Sequence, residues 1–221
     1  MPEADASRRD TWQLVAVPAA LTLAVTLLRL AGELLHWSPK LFNPAAGGGG
    51  ALVGISWLAP VFGIYFGYKL AKAGQGPQRV AVGIGLVLLA IALLPAVGFA
   101  ATKLGVPAQG RRMLLVFVVA SLASTWIAMR AWPELGRTLF AYALAARVPV
   151  AVLMLFAILG NWGTHYDVAP PGFPAVAPWA KWVWIGVLPQ LTIWIAFTVA
   201  IGSLVGIVTG ALARRGQAPA A

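Results

Sequence analysis

Arg147, about eight residues into the apolar run Leu139 to Gly160, is the residue whose position most demands a chemical explanation. An arginine near mid-bilayer costs from about 2.5 kcal/mol upward unless it is paired or solvated. Pro149, two positions on, removes a backbone donor and leaves the Ala145 carbonyl without its usual helical bond, so an acceptor is available in the same helix. The guanidinium can brace a kink there or reach back toward headgroups, or it can serve as a fixed charge for an anionic ligand or a coupling ion.

Arg29 and Glu33 lie four apart near the end of an earlier apolar run, so they share a helix face and can pair. Glu33 is also the natural counter-ion for Arg147 if those two helices touch. His36, His165, Tyr166 and Asp167 map to the same side of the chain as Glu33. Two imidazoles and two carboxylates suffice for a divalent metal with an open position. More than 120 residues separate the histidines, and no helical spacing fixes them together, so hydrogen bonding within loops is the plainer reading and no metal is assigned. Nothing in the sequence names a cofactor.

Pro189 and Gln190 interrupt the last apolar run, where a buried amide beside a proline can line a cavity with Thr192 and Thr198. Thr198, Gly202, Gly206 and Gly210 follow at every fourth position and give one smooth helix face. Gly63 and Gly67 make a second such pair. Close helix packing is expected at both, within the chain, in a homo-oligomer or against another membrane protein. Pro60 and Pro95 with Pro149 and Pro189 predict kinks in four helices, a pattern common around transporter sites.

The elements that position these residues follow from composition. Of 221 residues 60% are hydrophobic and only 10% charged, far from the roughly quarter of charged residues in a soluble domain. Lipid is therefore the solvent for most of the chain. The net charge of +10 falls mainly in short breaks between apolar runs, and no basic stretch exceeds two adjacent residues, so nucleic acid is not an expected partner. With no cysteine, disulfide, thiolate and iron–sulfur chemistry are excluded.

Six spans are predicted, at about 12–35, 51–70, 80–101, 113–132, 139–160 and 179–212, flanked by a terminal segment 1–11 and a tail 214–221. The fold class is all-α, a polytopic bundle of six transmembrane helices. Each run is long enough, at about 1.5 Å per residue, to approach the roughly 30 Å hydrocarbon core. Ser7-Arg8-Arg9 resembles a twin-arginine export signal, but the run behind it is too long for a signal core and five more follow, so a retained anchor is expected.

Six spans put both termini on one side. That side receives Arg8, Arg9, Lys69, Lys72, Arg79, Arg130, Arg137, Arg214 and Arg215, and the other Lys40, Lys103, Arg111, Arg112 and Lys181. Nine against five predicts cytoplasmic termini in an inner membrane. Short hairpins at 75–79 and 133–137 are then cytoplasmic, and a longer Pro- and Trp-rich loop, 161–178, is external. Trp37, Trp162, Trp179, Trp182 and Trp184 gather at the outer interface, with Trp12 and Trp132 at the inner one.

No P-loop, dinucleotide fingerprint, nucleophile elbow, zinc helix or selectivity filter is present. The first functional expectation is a small transporter or permease-like protein that handles a small, anionic solute near Arg147 and Gln190. The alternatives are a non-catalytic membrane subunit packing through its glycine face and its Trp-rich outer surface, and a membrane-embedded lipid-modifying enzyme using His36, His165 and Asp167.

Overall fold

Apolar chain in lipid must close its backbone hydrogen bonds internally, and the long apolar stretches of this chain do so as helices. The structure is a computed structural model that describes residues 2–215, with side chains for 11–214. Its elements are α1 (Pro2–Leu34), a single 3-10 turn (Ala46–Gly48), α2 (Leu58–Lys72), α3 (Val80–Lys103), α4 (Arg111–Ala131), α5 (Pro133–Gly160), the short α6 (Pro178–Lys181), two π-helical turns (Trp182–Val187 and Pro189–Ile193) and α7 (Trp194–Arg215). Five stretches are long and apolar enough to cross a membrane: Thr11–Leu34, Val80–Lys103, Arg111–Ala131, Pro133–Gly160 and Pro178–Arg214. The chain is a helical membrane bundle. The side chains of Arg8, Arg9 and Arg215 and the tail beyond 215 lie outside the described residues.

The second run differs from expectation. Helix α2 has 15 residues, about 22 Å, and the stretch 51–57 before it is a series of turns rather than the start of a span. Pro60 explains the boundary. It stands in the first turn, where its missing N–H needs no acceptor, so it starts this helix instead of kinking it. Upstream, Gly47, Gly48 and Gly50 all adopt positive φ, between 69° and 79°, which suits a loop and no helix.

Helix α5 starts at Pro133 rather than at 139, because proline at the first helical position is pre-organised for it and Glu134 complements the helix dipole. The expected hairpin at 133–137 is therefore helix, and Trp132 alone, extended at φ −154°, separates α4 from α5. One consequence concerns Arg147. It stands fourteen positions after Pro133, so it lies about 20 Å from either helix end, too deep for its stem to reach headgroups.

Proline inside helices occurs at Pro18, Pro95 and Pro149. Pro18 in α1 was missed by the sequence reading. Its carbonyl accepts from Thr22 Oγ1 (2.8 Å), and the same hydroxyl meets Tyr142 Oη (2.8 Å), which ties α1 to α5. Tyr142 in turn packs edge-on against Phe62 and Phe66, with ring centroids 5.1 and 5.6 Å apart, and these rings form the centre of the core.

The glycine faces meet each other. A Cβ on Gly63 or Gly67 would come within 2.7 Å of the Cα of Gly202 or Gly206 respectively, so α2 and α7 cross with backbones nearly touching. Thr198 is buried above them with its hydroxyl bonded to the Trp194 carbonyl (2.8 Å). Gly210 lies against Trp132, which is only 3% exposed and donates from Nε1 to the Gln75 carbonyl (2.9 Å). Trp132 is thus core and not an interfacial anchor, because a partner for its N–H was available inside the bundle. Arg214 Nη1 donates to the Pro77 carbonyl (2.6 Å), which fixes the end of α7 beside the 73–79 connection.

Candidate functional site

The three loops 35–57, 104–110 and 161–177 lie at the end of the bundle away from Pro2 and Arg215, and they surround a cavity of about 1080 Å³. Its floor is Arg147 and Gln190, and its rim includes Arg29, Arg111 and His165. Shortening α2 is what makes room, since the turns Gly54 to Trp57 line the space that a full second span would fill. A hollow of about 910 Å³ at the terminal end, among Lys69, Gln75 and Arg137, holds no buried charge.

Arg147 is 4% exposed and makes no ion pair among the described residues. Its Nη1 stands 3.5 Å from Gln190 Oε1, at the outer limit of a hydrogen bond. The guanidinium carbon lies 4.9 Å from the centroid of the Trp194 ring, a cation–π contact that offsets part of the desolvation cost. Nε–H has no hydrogen-bond partner among the described residues. The bond to Ala145 that the sequence allowed does not form.

The π-helical turns bring the partners round. Leu188 N–H bonds Val183 O and Trp194 N–H bonds Pro189 O, each five residues back. Proline at 189 cannot donate, and the widened turn accommodates that loss without a sharp kink. Thr192 and Thr198 do not line the cavity. Their hydroxyls return to the carbonyls of Leu188 (2.6 Å) and Trp194 (2.8 Å) in the same helical stretch.

At the rim, Glu33 is fully committed. Arg29 Nε donates to its Oε1 (2.8 Å), His165 backbone N–H to its Oε2 (2.9 Å), and His165 Nδ1 lies 2.6 Å from Oε1. Arg29 Nη2 further donates to the Asn43 and Gly48 carbonyls (3.1 and 3.0 Å). This network pins the glycine-rich loop and the 161–177 loop to the end of α1. Glu33 as counter-ion for Arg147 is therefore corrected: nearer donors have taken both of its oxygens.

Burial pushes the His165 imidazole below its ordinary pKa of 6.5, while its bond to Glu33 works in the opposite direction. A neutral ring at pH 7 donates its Nδ1 proton to the Glu33 carboxylate. Tyr166 Oη donates to the Thr26 carbonyl (3.1 Å), and burial pushes its phenol above the usual range. Asp167 faces its own loop, accepting from the Gly163 and Thr164 N–H groups (3.0 and 2.7 Å) and the Thr164 hydroxyl (2.8 Å). His36 stands apart at φ 52°, exposed where α1 ends. The sequence leaves open whether His36, His165 and Asp167 meet, and no three His, Asp or Glu side chains come together as metal ligands among the described residues.

Arg111 and Trp194 were not singled out from sequence. Trp194 had a signal, standing four residues after Gln190 and so on its face. Arg111 reads as ordinary loop charge, and only the fold reveals it above the rings of Trp184 (5.2 Å) and Phe173 (6.0 Å). Compared with family models, curated proteins and solved structures, the chain matches none.

Proposed function

We propose that this protein is a small permease-like carrier that admits an anionic solute to the cavity and holds it at Arg147 and Gln190, with both termini at the cytoplasmic face of an inner membrane. The observation that carries the reading is Arg147: a deeply buried guanidinium with an unpartnered Nε–H and no carboxylate, at the floor of a large open cavity. A buried charge of this kind is costly unless something pairs with it, and an anion supplies that pair. The Gln190 amide offers further donors beside it.

The surroundings agree in sign. Arg29 and Arg111 line the cavity, and among the described residues no Asp or Glu does. The N-terminal, partially positive end of the short α2 adjoins it, the arrangement by which interrupted helices favour anionic groups in the membrane. Pro149 and the π turns at 182–193 provide places where α5 and the last helix can bend as access changes. The glycine stripe on α7 packs against α2 within the chain, so it does not by itself call for a partner.

Thermal unfolding of purified protein with a panel of anions tests this. An anion at a hundred times its Kd stabilises the native state by about 2.7 kcal/mol. We expect that gain in the wild type, a partial gain in Arg147→Lys and none in Arg147→Gln. An anion whose stabilising effect survives intact in Arg147→Gln contradicts the assignment.

A further inference from the structure

We infer that the solute is an amphipathic monoanion, a single carboxylate or phosphate-type head on an apolar acyl or aromatic body. The inference rests on the anion-binding reading and names its substrate class. Three observations carry it. The first is size: about 1080 Å³ falls at the upper end of cavities that enclose drug-sized ligands, far beyond an inorganic ion.

The second is charge count. Arg29 is neutralised by Glu33 and tied to two carbonyls, and the exposed Arg111 lies over Trp184 and Phe173 at the rim. Among the described residues Arg147 alone is a buried cation without a carboxylate, so the floor matches one negative charge. The third is the wall between floor and rim, where Val150, Met154, Met113, Phe117 and Ile55 offer apolar surface and Trp194 turns its ring to the guanidinium. A head group at Arg147 therefore leaves its body against hydrocarbon and aromatic side chains, and thioether side chains adapt to variable shapes. Arg111 and its two rings at the rim suit the passage of the same two-part molecule, first by charge and then by apolar contact.

The test is a titration of the full chain with acetate, butyrate, hexanoate, octanoate, benzoate and inorganic phosphate, in non-ionic detergent and again in lipid nanodiscs. Affinity is expected to rise with the apolar body, by up to about fourfold per methylene, and to vanish in Arg147→Gln, with octanamide binding at least tenfold more weakly than octanoate. A second variant, Phe117→Asn, removes apolar surface from the wall and is expected to flatten the chain-length dependence. Acetate and phosphate binding as tightly as octanoate, with all three lost in Arg147→Gln, overturns the amphipathic class and leaves the anion reading standing. Octanoate binding equally to wild type and Arg147→Gln overturns both. Extraction of purified protein separates two sources of this chemistry. An acyl anion near one per wild-type chain and absent from Arg147→Gln identifies the bilayer, whereas benzoate bound from water by protein free of acyl anion identifies a soluble organic acid.

Discussion

Glu33→Ala is expected to destabilise the protein by about 3–5 kcal/mol, the cost of leaving a buried cation without its partner. The carboxylate is the joint of the rim: it accepts from Arg29, from the His165 ring and from the His165 backbone N–H. Its removal strands the Arg29 guanidinium at 8% exposure. It also releases the 161–177 loop, whose remaining hydrogen bond to α1 among the described residues is that from Tyr166 to the Thr26 carbonyl. Thermal and denaturant unfolding of detergent-solubilised protein measure the loss. Glu33→Gln should be milder, because the amide oxygen still accepts one bond. Arg29→Gln combined with Glu33→Gln should cost less than the two single changes added, since the pair is removed together. Strict additivity would mean that the ion pair contributes nothing and that the rim is held by backbone contacts alone.

Gly67→Ala is expected to cost about 1–3 kcal/mol, because the atoms its methyl meets are backbone and cannot turn aside. The nearest are the Gly206 carbonyl oxygen and its Cα, the latter 2.7 Å from the new Cβ. Gly63→Ala strikes Gly202 in the same way one turn away, and the double substitution should prevent α2 and α7 from crossing at all. Gly85 on α3 is the matched control. A Cβ there meets nothing within 4 Å, so Gly85→Ala should be neutral or stabilising by up to about 1 kcal/mol through helix propensity. The comparison separates crowding from propensity, since both substitutions add one methyl to a helix. Equal melting temperatures for Gly67→Ala and Gly85→Ala would contradict the close crossing.

Much of this architecture was legible in the sequence for physical reasons. Hydropathy identifies a lipid-facing helix because the bilayer leaves the backbone no other partner, and the Arg29–Glu33 pair follows from helix periodicity alone. The four-residue glycine spacing likewise announces a close crossing, although only the fold reveals that α2 is the partner of α7.

What escaped was long-range or backbone-specific. Hydropathy treats Ala51 to Leu70 as one run, and it cannot sense that Pro60 begins a helix while the residues before it turn away to line a cavity. The same scale delayed the start of α5 past Pro133 and so counted Arg147 only about eight residues into its run, when it stands at the midpoint of the helix. No pattern in the sequence joins Glu33 to His165 across 132 positions, and proximity of charge types alone suggested the wrong partner for Arg147. The π turns leave only Pro189 as a trace.

The most direct test of a water-accessible, cation-floored cavity exploits the absence of cysteine from the chain. Ser56→Cys places one near-isosteric thiol on the cavity wall, and its rate of modification is measured with two methanethiosulfonates, one bearing a sulfonate and the other a trimethylammonium. The account predicts labelling of the folded protein from the side opposite the termini, with the anionic reagent favoured by a ratio that falls in Arg147→Gln. An inert thiol, or preference for the cationic reagent, would contradict it.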